Sequence, residues 1–390
     1  MLGRASGVLA LVALSGFASP LRAQTATPDP TAPQTVAPDQ PAAPASEPTP
    51  TTKKPLPWHG SSAIWVQRVT TQTLGVGPKP LSSDPLYDWL VYLRPRYSFW
   101  EDDRSSLSLR AQFEADYEFT NSDTTTEKNE LLLADTIVAL TPEHAFVSHG
   151  EYLTLLSLSL PRVVLPTSKA SYDAGNIANV GVRAFLLQDF PLRENESWFP
   201  RGRVAFRAGY SYQFARDVVP ELSTLNQVRM DLSGHSVSND QVSGAALAEH
   251  AFMIHGLAGV DVWRNVIGVD AEFGVDPVIK FPLEKGLCVA TLTGCATIAD
   301  VNDPQRYGVI TLFDAYVEAR ALGNAFHVAV GYENVTNQLA PESVYRSPLW
   351  SPDAHFYLRL DFVPDLLLEP PPPAAPRAGP APGRNVASAR

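Results

Sequence analysis

The run RSSLSLRAQFEADYEFT, Arg104–Thr120, alternates without interruption. Leu107, Leu109, Ala111, Phe113, Ala115, Tyr117 and Phe119 fall on one face. Ser106, Ser108, Arg110, Gln112, Glu114, Asp116, Glu118 and Thr120 fall on the other. A period of two sustained over this length predicts a long β-strand. In a soluble sandwich the charged face meets bulk water. In a membrane barrel the apolar face meets lipid and the charged face lines a lumen.

The composition around this run favours the barrel. Charged residues make up 18% of the 390-residue chain, below the roughly 25% of a soluble domain. Yet no internal segment reaches the ~20 consecutive apolar residues of a membrane helix. Low charge without a spanning helix is expected when apolar residues are interleaved with polar ones along strands.

The N-terminus reads as a secretory signal peptide, residues 1–23, with Arg4 ahead of the apolar stretch Gly7–Phe17 and a cut after Ala23 or Ala18. Cleavage after Ala23 removes Arg4 and Arg22 and no acid, taking the net charge from −11 to −13. That balance argues against nucleic acid as a partner. Residues 24–59 form a Pro/Thr/Ala-rich linker, with ten prolines between Thr25 and Pro57. Residues 364–390 form a matching tail with eight. Neither composition supports a packed core, so both ends read as disordered periplasmic spacers that also offer an envelope contact. The folded unit is then residues 60–363.

Within it about twelve strand candidates recur: Ser62–Thr73, Tyr87–Trp100, Arg104–Thr120, Glu130–Thr141, His149–Leu160, Asn179–Phe190, Gly202–Phe214, Glu249–Val262, Asn265–Asp276, Arg306–Arg320, Ala325–Glu333 and Asp353–Val363. Pro95 is awkward inside the second because it has no N–H. A turn at Pro142–Glu143 follows the fourth, and Leu322–Gly323–Asn324 turns the tenth into the eleventh. Connections after the second, fourth, eighth and tenth candidates are short, and that after the sixth, Pro191–Arg201, is intermediate. Those after the odd-numbered candidates run from about nine to thirty-four residues. Short turns at one end and long loops at the other are the asymmetry of a transmembrane antiparallel up-and-down β-barrel. A soluble sheet has no reason to sort its loops by parity.

The last strand, HFYLRLDF, places Phe356, Leu358, Leu360 and Phe362 on one face and ends on an aromatic. It resembles the C-terminal signal by which the barrel-assembly machinery of Gram-negative bacteria recognises outer-membrane proteins, although 28 residues follow it here. The phrase GYENVTNQ (Gly331–Gln338) resembles the penultimate strand of TonB-dependent receptor barrels. That similarity covers eight residues and implies a barrel end, not active transport. Together the resemblances imply a porin-like protein of the cell outer membrane.

The face opposite the apolar one carries both signs of charge. Arg94, Arg96, Arg110, Arg203, Arg207, Arg320 and Arg359 accompany Glu114, Asp116, Glu118, Asp270, Glu272, Asp276, Asp314, Glu318, Glu333 and Asp361. Such a lumen passes small polar solutes or ions, or is filled by ion pairs that only hold the wall together. Acids outnumber arginines, and Asn265–Asp276 supplies three acids and no arginine, which predicts a mild cation preference. Trp65, Trp89, Tyr97, Phe99, Tyr117, Phe119, Tyr210 and Phe214 suit the headgroup level of outer-membrane lipid. Cys288 and Cys295, in one long loop of an exported chain, suggest a local disulfide.

No enzyme is expected. The local pairs Ser148–His149 and His235–Ser236 do not assemble a nucleophile and base: strand neighbours point to opposite faces, and the second pair lies in a loop. His255, His327 and His355 share the inward face but sit on separate strands. No phosphate-binding glycine loop, zinc signature or calcium loop is present, so neither cofactor nor metal is implied.

Overall fold

A computed structural model describes residues 57–368 other than 72, 77–85, 103, 121–128, 149–151, 194–196, 217, 219–227, 231–235, 239–245, 285, 292–293, 298–305, 339–344 and 352–353. Twelve antiparallel staves close into a barrel. The first half comprises β1 (Ser62–Thr70), β2 (Tyr87–Arg94) continued by β3 (Arg96–Glu101), β4 (Ser105–Glu118), β5 (Leu131–Leu133) continued by β6 (Thr136–Ser148), β7 (Tyr152–Leu165), and, after the short helix α1 (Lys169–Asp173), β8 (Asn176–Pro191). β9 (Arg201–Ala215) follows, then a separate small hairpin of β10 (Val228–Met230) and β11 (Ser236–Ser238). β12 (Ala248–Trp263) and β13 (Ile267–Lys280) resume the wall. A second detached hairpin, β14 (Cys288–Thr291) and β15 (Gly294–Thr297), precedes β16 (Tyr307–Ala321), β17 (Phe326–Asn337) and β18 (His355–Phe362).

Closure is made by β1, which pairs with β2 on one side and β18 on the other, from Ala63 opposite Phe362 to Thr70 opposite His355. A closed ladder leaves no unpaired sheet edge, the condition for strands to cross lipid. Among the described residues no helix is long and apolar enough to cross a membrane.

Pro95 divides a stave without ending it. β2 pairs with the second half of β4 and β3 with the first, while Ala111 N–H still donates to the Pro95 carbonyl at 3.0 Å. The turn expected at Pro142–Glu143 does not form. β6 runs straight through both residues, Pro142 opposite Leu107 and Glu143 opposite Ser106, and the chain reverses only between Ser148 and Tyr152. The physical reason lies in the neighbouring stave. Between Ala139–Arg162 and Glu143–Ser157 the β6–β7 ladder slips by one residue, and Pro161 sits in that slip. Two prolines share one bulge, so both missing donors fall where the ladder is already broken.

The outward face is apolar. Leu93, Leu109, Phe113, Val182, Phe206, Ile254, Phe273, Val317 and Val330 are all exposed around the wall. Aromatics gather toward both rims. Trp65 stacks edge-on with Trp89, which meets Phe119, which meets Tyr117. Tyr210 packs on Phe252, while Tyr97 meets Phe99 near the opposite, short-turn end. Phe356 and Phe362 also face outward.

The short turns follow local chemistry. Asp102 Oδ1 accepts the N–H groups of Arg104 and Ser105 at 2.8 and 2.7 Å, an Asx turn. Those two donors hold the exposed Asp102 carboxyl below its ordinary value. Arg264 and Asn265 take positive φ in the β12–β13 hairpin, as a tight two-residue turn requires. Past the expected domain boundary the chain forms a helical turn, α2 (Asp365–Leu368), and Asp365 accepts the Gly60 N–H at 2.8 Å. That contact ties the two ends of the barrel together.

Candidate functional site

The inward face is the candidate site. Strands spaced ~4.8 Å apart and tilted about 40° give a twelve-stave wall roughly 24 Å across between backbones. Arginine side chains take up much of that width, so the direction in which they pair determines whether an axis stays clear.

They pair along the wall. Arg203 on β9 donates to Asp270 on β13 at 2.6 Å and to Glu318 on β16 at 2.8 Å. Arg320 on β16 reaches Asp261 on β12 at 2.8 Å and also binds Glu318. Arg207 holds Glu272 at 2.8 Å. The two ring nitrogens of His255 meet Glu272 and Asp276, each at 2.9 Å, so this inward histidine is a bridge. On the other side Arg96 and Arg110 converge on Glu143 at 3.3 and 2.8 Å. Arg68 pairs with Asp88, directly opposite it, and reaches Asp116 at 3.5 Å. Arg94 donates to Gln112 at 2.9 Å, and Tyr357 OH to Asp314 at 2.8 Å. Arg359 pairs with Asp361 on its own strand and lies over the Tyr316 ring. Glu118 is buried and accepts the Thr120 hydroxyl at 2.8 Å. Among the described residues these contacts join staves no more than three places apart, a quarter of the circumference.

Small residues on intervening staves make the bridges possible. A Cβ at Gly259 would stand 1.9 Å from Asp270 Oδ1 and 2.8 Å from Arg203 Nε. A Cβ at Gly274 would meet the His255 ring, and one at Gly331 the Tyr357 ring. Glycine in mid-strand weakens a sheet by about 0.5–1 kcal/mol, so each position exchanges strand stability for a cross-stave contact.

The pairs have an order. Asp270 is fully covered while Arg203 keeps a quarter of its side chain exposed. Asp88 and Arg68 repeat this at 0% and 22%, and Glu143 and Arg110 at 13% and 34%. In these three pairs the carboxylate is the more covered partner, whereas Arg96 at 7% lies deeper than Glu143 at 13%. Asp270 thus lies beneath Arg203, while Glu272 and Asp276 are about as covered as Arg207 and His255.

Two apolar patches also face inward. Ile64, Val66, Leu90 and Tyr357 form one, with Tyr92 and Tyr316 against it. It borders a cavity of about 70 Å³ whose lining includes Arg68, Arg94, Glu333 and Arg359, room for a few water molecules. Ala145, Leu155, Leu187 and Ala205 form the other, with Phe185 and Leu257.

The structure brings the sequence-read arginines and acids onto one continuous surface. It adds Arg68, Asp88, Glu143, Arg162, Arg183 and Asp261, which the sequence reading did not select. Glu143 lay in the expected turn, and Arg162 follows the bulge that shifts the alternation. Arg183 shares its parity with Asn179, Gly181 and Phe185, so alternation alone identifies it. His327 and His355 are inward but apart from His255. Ser148–His149 and His235–Ser236 fall on residues outside those described or whose side chains are not described. The side chains of Cys288 and Cys295 likewise lie outside the description. The hairpin register sets Ala290, not Cys288, opposite Cys295.

A closed wall with an apolar outside, aromatic rims and an ion-paired inside defines a transmembrane β-barrel. No family model and no curated protein matches the chain. Among solved structures it is similar to an outer-membrane channel from Pseudomonas putida F1, at 11% identity over 81% of this chain and 99% of that chain, with a TM-score of 0.44. It is also similar to the NanC porin (8%, 77% and 98%, TM-score 0.31) and to Salmonella typhi OmpF in complex with daunomycin (10%, 77% and 96%, TM-score 0.30). At this level of identity and overlap these likenesses say nothing about solute or mechanism.

Proposed function

We propose that the protein is a narrow channel of the outer membrane that passes small polar solutes or ions. The observation that carries this is the direction of the ion pairs: they run along the wall, and in the pairs of Arg68, Arg110 and Arg203 the guanidinium is the partner left exposed. Exposed guanidinium groups favour anions, the reverse of the preference that charge counting predicts. The protein is exported through its N-terminal signal peptide and inserted by the barrel-assembly machinery. Its short turns and Pro-rich ends lie in the periplasm. It has no catalytic role.

Conductance of the refolded protein in a planar bilayer tests this reading. Discrete steps are expected, with anion preference that weakens in Arg203→Gln. Clear cation selectivity sinks the arginine-facing assignment. A second reading is favoured by the 70 Å³ cavity and by the depth of the pairing: a non-conducting barrel that acts through its long external loops. Silence from a barrel whose heat-modifiable gel mobility shows it folded would select it.

A further inference from the structure

Most inward arginines pair with a carboxylate; Arg162 and Arg183 stand apart. Arg162 on β7 is 7% exposed. Among the described residues no carboxylate lies within ion-pair distance of Arg162 or of Arg183 on β8. Register fixes their directions. Arg162 stands opposite inward Ala139 and Gly181, and Arg183 opposite Ser159 and Gly209. They are diagonal neighbours across the β7–β8 ladder, close enough for Arg162 to feel the Arg183 charge. Asp276 attracts Arg183 through space, but its carboxylate is engaged by His255. The bulge at Pro161 turns Arg162 inward: continued alternation from Leu155, Ser157 and Ser159 would place the lumen-facing side chain at position 161.

An unpaired cation shielded from water, beside a second one, destabilises a fold unless something anionic completes it. The surface next to them narrows the choice of anion. Along β8 the inward residues after Arg183 are Phe185 and then Leu187, each about 6.8 Å further along the strand. Leu187 belongs to the apolar patch with Leu155 and Ala205. A guanidinium pair at the head of an apolar strip matches a monocarboxylate with an apolar body.

We infer that Arg162 and Arg183 form a binding site inside the lumen for organic monocarboxylates, with Phe185, beneath the Arg207 guanidinium, meeting the aromatic or short aliphatic body. The solute class deepens the channel reading and rests on it, whereas occupancy of the site can be measured without any conduction.

The test is calorimetric titration of the refolded full-length protein in detergent with sodium benzoate, sodium acetate and inorganic phosphate. Benzoate binds saturably, one per chain, and tighter than acetate or phosphate. Arg162→Gln and Arg183→Gln each weaken it about tenfold or more, the loss of one charge-assisted contact. Arg162→Gln raises the unfolding midpoint of the ligand-free barrel, because it removes an uncompensated buried charge. Benzoate raises the midpoint of the wild type, a readout that needs no variant. Wild-type affinity in either variant, or no saturable binding to the wild type, overturns the site. Phosphate binding as tightly as benzoate overturns the apolar half of the assignment. A barrel that is silent in potassium chloride yet binds benzoate retracts the channel and leaves the site standing.

Discussion

Gly259→Ala tests the wall network at its most crowded point. The added methyl group would sit 1.9 Å from Asp270 Oδ1 and 2.8 Å from Arg203 Nε. Asp270 has one short side chain and no second position that keeps its bond to Arg203, so the pair must open. Separating a fully buried pair costs about 3–5 kcal/mol. Arg203 is a quarter exposed and keeps Glu318 at 2.8 Å, so water and the second carboxylate recover part of that loss. About 2–3 kcal/mol of destabilisation remains. Gly256, three residues earlier, faces outward with nothing within 4 Å of an added Cβ. Gly256→Ala therefore stays neutral or gains up to about 1 kcal/mol from the strand preference alone. Urea unfolding of both variants in detergent, followed by tryptophan fluorescence, reads the difference directly. Equal stabilities for the two variants would refute the claim that Gly259 exists to let the bridge pass over it.

Val330→Arg places a charge on the outward face of β17, where Val330 is 60% exposed. If that face meets lipid near its middle, folding into bilayers loses about 2–4 kcal/mol; a change below about 0.5 kcal/mol would put the face in water. The carboxyl of Asp102 is held low by two backbone donors. Its contribution is complete above the unfolded carboxyl range, near pH 4, and is lost as pH falls through the depressed folded value. Asp102→Ala should thus lower the urea midpoint at neutral pH, where that contribution is complete, and converge with the wild type as pH falls below about 4; a difference between the two that does not shrink in acid contradicts the turn chemistry. Asp270→Asn leaves Arg203 with one carboxylate partner and should shift the reversal potential in a potassium chloride gradient further toward chloride; a shift toward potassium contradicts the burial order of the pair.

Alternation in Arg104–Thr120, Gly202–Phe214 and Asn265–Asp276 specifies strands, faces and even the aromatic rims, because a period of two is a local property that each strand carries in its own residues. Loop parity then implies a closed barrel. Pairing partners, burial order and ladder slips depend on residues distant in the chain. Glu143 becomes a bridge between Arg96 and Arg110 only because β6 runs on past Pro142 in register with β4. Arg162 turns inward only because that bulge adds a residue. Asp270, Glu272 and Asp276 read as an acidic stripe in sequence, and only the tertiary structure pairs them with Arg203, Arg207 and His255. The sequence by itself determined which side chains face the lumen along the unbroken strands; the closed wall decided which of them pair, and where a bulge turns a further cation such as Arg162 inward, because pairing and register depend on staves remote in the chain.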